Sequence, residues 1–429
     1  MRGWVLARPE ATRDTGCRGQ TLDSGSTVGA MAVPPRVVVV GAGFAGLTAA
    51  RSLVAAGCEV VVIEARDRVG GRVWSVALDN GEIVEMGGEW IASGQTAVLD
   101  LASELGVGLI DPGIDFVSRD PVGGETIPVE EHRRVNQALG DLLATIPART
   151  LDLMTAAQVL EQSAEKTPAF DVLRSRLEGT MGAPLEEVSA AEIGPDYGFG
   201  EHSCFRIAGG NSTIANALAQ GLDLQFGVEV QAIAQRGGSV LIVARNAVFE
   251  AEAAVVAVPL PVLQRLDLDP VPSPPVVAAL HALRMGSAAK VVVATGAAPP
   301  LTRRQDNDIP AWYWTGLAEG GSIRNAVTGF AGSETGVKAL VADPMGRLRR
   351  AVPEVDLIGA TTVVDWSADP LAGGCYSVIG PGQRALLEMF RRPWGRVVIA
   401  GEHSNGSGSM DGAIRSGIET AEQVLGLEH

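Results

Sequence analysis

Gly41-Ala42-Gly43-Phe44-Ala45-Gly46 is the stretch of this chain best suited to holding a charged ligand. At this spacing Gly41 permits a tight turn off a strand, Gly43 lets a pyrophosphate approach the backbone, and Gly46 allows the following helix to pack closely. Free N–H groups in the first turn of that helix then face phosphate oxygens. Glu64 follows roughly twenty residues later, where dinucleotide-binding folds set an acid against ribose hydroxyls. In a chain with 53 glycines the pattern alone is weak, and its alternative is a plain tight turn followed by a surface glutamate. Neighbouring elements decide between the two.

Arg36 to Val40 is a β-branched run that predicts a strand, Phe44 to Ala56 is an Ala/Leu-rich helix closed by Gly57, and Glu59 to Ile63 predicts a second strand. Together they form a βαβ unit with the glycines in its first turn. From about Ala97 to Ala191 the spacing of apolar residues is largely helical, as at Val98, Leu99, Leu101 and Leu105, then over Val135 to Leu143 and Val159 to Leu177. Short strands return at Val228 to Ala234, Val240 to Ala244 and Ala253 to Val258; another begins at Lys290, and Val397 to Ala400 feeds Gly401. This order predicts an α/β protein with a Rossmann-type, glutathione-reductase-like dinucleotide domain built from 36–96, 203–285 and 385–426. A mixed α+β substrate domain, 97–202 and 286–384, is inserted into it. Residues 1–35 carry no periodic pattern and read as a loose extension, with Met31 well placed to start the folded unit. Residues 427–429 read as a tag remnant.

The formal charge of −16 has the wrong sign for gripping phosphate backbones, so nucleic acid is not an expected partner. Acidic surface would draw in cationic small molecules, although most such charge serves solubility. Cys17, Cys58, Cys204 and Cys375 show no paired spacing, which points to a reducing compartment and a cytoplasmic protein. The five histidines lack the pairing or cysteine clustering of a zinc site, so no metal is expected. No run approaches the ~18 to 20 apolar residues that span a bilayer, so no membrane partner is expected, and a homodimer is compatible with the reading.

Beyond Glu64 come Ala65-Arg66-Asp67-Arg68-Val69-Gly70-Gly71-Arg72 and Glu85-Met86-Gly87-Gly88-Glu89-Trp90-Ile91, then, near the other end, Ala400-Gly401-Glu402-His403 and Met410-Asp411-Gly412-Ala413-Ile414-Arg415-Ser416-Gly417. In this order the motifs resemble the flavin-containing amine oxidases, the monoamine oxidase family, from Val37 to about Leu425. The resemblance implies FAD as cofactor and oxidation of a small-molecule amine, with oxygen reduced to hydrogen peroxide.

It also implies roles for particular residues. Arg66 and Arg72 match arginines near the ribose and pyrophosphate, and Ala65 and Gly71 belong to the same block. Gly87, Gly88, Trp90 and Ile91 match the stretch beside the flavin ring, and Val230 the residue whose backbone meets the adenine. Gly401, Glu402, Met410 and Ala413 fall where the family closes over the ribityl chain and flavin. Lys290 looks like the lysine that holds a water against the reactive flavin nitrogen, where its charge would stabilise reduced flavin. Tyr376 would be one wall of an aromatic cage, with Trp366 a neighbouring surface. Cys375 stands where monoamine oxidases carry a thioether to the flavin, and both covalent and non-covalent binding stay open. The chain departs from the family at Ser409, too small for the second cage wall; Trp312, Tyr313, Trp314 and Trp366 are candidates to replace it. A flavin desaturase or amino-acid oxidase would share every cofactor motif and differ in the pocket, where Arg324 or Arg303-Arg304 could clamp a carboxylate. A flavin-binding protein without turnover is the third reading.

Overall fold

The computed structural model describes residues 35–114, 116–194 and 204–427. Expectations for the N-terminal extension, apart from Pro35, and for Glu428 and His429 therefore lie outside the described residues.

A five-stranded parallel sheet carries the nucleotide-binding turn. Its order across the sheet is Val397–Ile399, Ala253–Val256, Arg36–Val40, Glu59–Ile63 and Asp223–Gln225. All four pairings are parallel, with Val39 opposite Val255 on one side and Val62 on the other. Its central strands are near-continuous valine because helices or a second sheet cover both faces and leave no solvent side for polar residues. Helices Phe44–Ala55 and Met410–Leu425 cover one face. An antiparallel unit of Val230–Arg236, Ser239–Ala244 and Val248–Ala251, with helix Pro274–Ala282, covers the other.

A second large sheet has six strands. Its order is Leu357–Asp365, Ala288–Thr295, Ala326–Gly332, Ala311–Trp314, Arg303–Asp306 and Asp120–Pro121. Helix Pro168–Met181 packs on its Ala326–Gly332 and Ala311–Trp314 strands, capped at its start by Thr167 and ended by Gly182 in the left-handed conformation. The rest of the helical segment, including Val129–Thr145 and Ala156–Ser163, closes a separate apolar core with it. Among the described residues no helix is long and apolar enough to cross a membrane.

The expected βαβ unit is present at Arg36–Val40, Phe44–Ala55 and Glu59–Ile63. Of the six-stranded sheet, sequence patterning marks only the strand that begins near Lys290. The strand expected from Val228 starts at Val230 instead.

Candidate active site

Gly41 sits at φ +102°, and its N–H donates to Ile63 O at 2.8 Å, so the chain leaves the first strand in a conformation that favours glycine. A Cβ on Gly46 would lie 2.0 Å from Gly41 O and 3.2 Å from the Ala257 side chain; the helix can sit this close to the sheet only without one. A Cβ on Gly43 would meet nothing within 4 Å and would project into open space. Gly43 is also the N-cap, and no side chain caps the helix and no acid lies in its first turn, which leaves its N–H groups for a ligand.

That space belongs to one cleft of about 660 Å³. All the residues that the resemblance matches to cofactor binding or catalysis line it except Gly46 and Ile91. Gly46 works from behind, through packing. Ile91 pairs with Phe205 in a short antiparallel bridge and is 0% exposed in the core under the parallel sheet, so its side chain does not face the cleft.

At the end bounded by Glu64, Val230 and the glycine turn, the Glu64 carboxylate accepts from Ala42 N at 2.7 Å and Arg66 N at 2.9 Å. Each oxygen keeps a lone pair for a hydroxyl. Ala65 lies beside it, and Arg66 pairs with Asp369 at 2.9 Å. In the middle, Arg72 Nη1 donates to Cys375 O at 2.7 Å and Glu402 Oε1 at 2.8 Å, while Glu402 Oε2 accepts from the Ser377 hydroxyl at 2.6 Å. Burial alone would raise the Glu402 carboxyl, but Arg72 and these donors outweigh it and hold it below the usual carboxylate range. Gly71 and Gly401 border this stretch. Gly87 is pressed on the backbone of the same arginine, since a Cβ there would be 1.9 Å from Arg72 O, and Gly88 faces Met410. Met410 and Ala413 bring the start of the last helix to the cleft. Ser409 is its N-cap, accepting from Gly412 N at 3.0 Å, which accounts for a small hydroxyl residue where the family places an aromatic wall.

The far end is aromatic. Trp312 and Trp314 stack at 4.1 Å between ring centroids, Trp90 lies 5.8 and 5.7 Å from them, and Phe116 closes on Trp90 at 5.3 Å. Strand alternation turns Tyr313, between the two tryptophans, into the opposite core, so it is not a cage wall. Trp366 is held by its N–H to Met86 O at 3.0 Å, and the Tyr376 hydroxyl donates to Thr180 O.

Lys290 lies between the two ends. Its ammonium has three protons, and three protein atoms take them: Glu85 O at 3.1 Å, Gly87 O at 2.9 Å and Glu89 Oε2 at 2.7 Å. The water-holding role implied by the resemblance therefore requires one of these bonds to be given up. Burial pushes the Glu89 carboxyl up, but Lys290, Arg324 and Arg206 outweigh it and hold it below its ordinary value, so the carboxylate is charged. Glu89 was not singled out from sequence; its partner stands 201 residues away and nothing local marks the pair.

Arg324 and Arg304 do not line the cleft. Arg324 lies 3.6 Å from Glu89, and Arg304 reaches Asp120 at 3.5 Å and Glu354 at 3.6 Å. At the aromatic end the cleft is instead lined by Arg119, stacked 4.0 Å over Trp312, and Arg176, which donates to Phe116 O at 2.7 Å.

The model for flavin containing amine oxidoreductases matches residues 44–425. The chain belongs to that family. Its cofactor is FAD, and the Gly43 cradle, the Glu64 carboxylate and the cleft joining them to the aromatic chamber are features that such a group fits. Residues 5–81 also match the model for pyridine nucleotide-disulphide oxidoreductases. Pseudooxynicotine dehydrogenase from Pseudomonas sp is 27% identical over 90% of this chain and 85% of that protein. Lysine-specific histone demethylase 1 homolog 2 from Oryza sativa subsp. japonica is 28% identical over 91% of this chain, which spans only 57% of that relative's length. Among solved structures, putrescine oxidase with putrescine bound superposes with a TM-score of 0.79 at 23% identity, covering 92% of this chain and 100% of the other. At that identity the likeness establishes the fold, a Rossmann-type FAD domain joined to a substrate domain.

Proposed function

We propose that the chain oxidises a small amine to an imine, which water hydrolyses to an aldehyde or ketone, with oxygen reduced to hydrogen peroxide. The observation carrying this reading is that one cleft joins the glycine turn at Gly41 to Gly46 to a chamber walled by Trp90, Trp312 and Trp314. The bound flavin supplies the two-electron acceptor for the substrate's α-hydrogen. Glu64, Arg66, Arg72 and the helix start at Gly43 would hold it.

The chain's own work is positioning and desolvation. Its aromatic walls exclude water, and an apolar chamber penalises the ammonium form, so the amine enters neutral and ready to be oxidised. Tyr376 and Trp366 border the chamber and would limit how the substrate turns. Segments 36–96, 203–285 and 385–426 are proposed as the FAD-binding unit and 97–202 with 286–384 as the substrate unit. Among the described residues Cys58, Cys204 and Cys375 are free, and the cytoplasmic setting is proposed from the unpaired spacing of the cysteines in the sequence.

Arg119 and Arg176 favour a second reading, an amine that also bears a carboxylate. A panel of apolar monoamines, diamines and amino acids assayed for peroxide release tests both readings. Apolar monoamines should react best; fastest turnover with amino acids would establish the second reading, and no peroxide from any amine would remove the first.

A further inference from the structure

Glu89 is a carboxylate with 2% side-chain exposure, placed against the lysine that faces the cofactor cleft. Burying it costs far more than burying a neutral amide that could accept the same hydrogen bond. What the carboxylate contributes beyond a glutamine is charge. Its two oxygens divide between cations: Oε2 accepts from Lys290 at 2.7 Å, and Oε1 faces Arg324 Nη2 at 3.6 Å. Lys290 has 7% side-chain exposure, and Trp314 lies 5.7 Å from its ammonium, so water screens the pair weakly.

We propose that Glu89 is a positioning residue that restrains the reaction with oxygen by holding Lys290 on the protein's own acceptors and offsetting its charge. The inference rests on the flavoenzyme reading above. Reoxidation moves two electrons and one proton from the reduced cofactor, with a second proton from solvent, to oxygen, which leaves as hydrogen peroxide. A cation beside the cofactor favours its negatively charged reduced form and stabilises charge building on oxygen. With Glu89 ionised, its negative charge, shared with Arg324, offsets part of the charge on Lys290, and none of the lysine's protons is left for a water. Neutralising Glu89 restores the charge and loosens the third bond.

The test needs FAD but no amine, so failure of the amine assignment leaves it intact, and failure of the FAD assignment shows at once as parent protein that binds no flavin. FAD-loaded parent and Glu89→Gln are reduced chemically; the midpoint potential is read against a reference dye, and the rate constant with oxygen by stopped flow. Glu89→Gln should raise the oxygen rate constant at least tenfold and move the potential to more positive values. Glu89→Asp, one carbon shorter, should shift both in the same direction by less, and it decides the question if the glutamine variant does not load FAD. In a Lys290→Met background the effect of Glu89→Gln should largely vanish, because the residue acts through the lysine. A merely structural carboxylate would change thermal stability and leave both redox readouts in place. Unchanged potential and oxygen rate in an FAD-loaded variant would overturn the proposal, as would a Glu89→Gln shift undiminished in the Lys290→Met background.

Discussion

Two side chains at or beside the cleft carry predictions of their own. The Cys375 thiol is pushed up to about 12 by burial, and its sulfur is wedged between backbones, since a Cβ on Gly182 would lie 3.0 Å from it and one on Gly286 3.2 Å. Attack on the flavin needs a thiolate, so FAD should be bound without a covalent link. Acid precipitation should leave the flavin in the supernatant; flavin retained on a Cys375 peptide would refute this. His403 is 0% exposed, neither ring nitrogen has a partner among the described residues, and burial lowers its pKa to about 4. An unfolded histidine titrates near ~6.5, so the unfolded chain takes the proton first as pH falls. The neutral ring's contribution is complete above about pH 6.5 and is lost as pH drops towards about 4, on the order of 3 kcal/mol. His403→Leu should flatten the stability profile across that window in denaturant melts, and a profile parallel to the parent's would contradict the assignment. Residues of this kind are poorly legible in sequence. Glu89 stands inside a recognised motif, yet its pairing is set by Lys290, 201 residues away, and by Arg324.

At the scale of elements, the glycine turn separates packing from binding. Gly46→Ala should force the helix off the sheet, destabilise the apoprotein by about 1–3 kcal/mol and weaken FAD. Gly43→Ala should melt like the parent, because its methyl meets no protein atom, and still lose FAD affinity, because the methyl fills the space of the ligand. Apoprotein melts paired with FAD titrations check both, and parent-like affinity in Gly43→Ala would show that the dinucleotide lies elsewhere. This turn was legible because its glycines, the strands and helix around them and the Glu64 carboxylate all follow one another closely along the chain. The six-stranded sheet was not. Leu357–Asp365 is an edge strand with mixed exposure and no clean alternation. Ala326–Gly332 carries Gly329, where Tyr313 packs so closely that a Cβ would sit 3.0 Å from its ring. Such strands are specified by long-range pairing, which local propensity does not record.

Across the whole molecule, segments far apart in sequence converge on one cleft. The first βαβ unit frames the nucleotide end, Ala311–Trp314 of the six-stranded sheet brings Trp312 and Trp314 to the other, and the last helix and Lys290 of Ala288–Thr295 meet the cleft between them. The net charge of −16 gives the surface an acidic field that suits cationic amines in solution, while the aromatic chamber selects their neutral form. The central claim is that FAD in this cleft takes its electrons from an amine. Anaerobic mixing of FAD-loaded protein with a panel of amines, followed through the visible flavin band, tests it most directly. The account predicts that at least one neutral-form amine bleaches the band and that admitting oxygen restores it. A band that survives every amine, in protein whose flavin is readily reduced chemically, would contradict it.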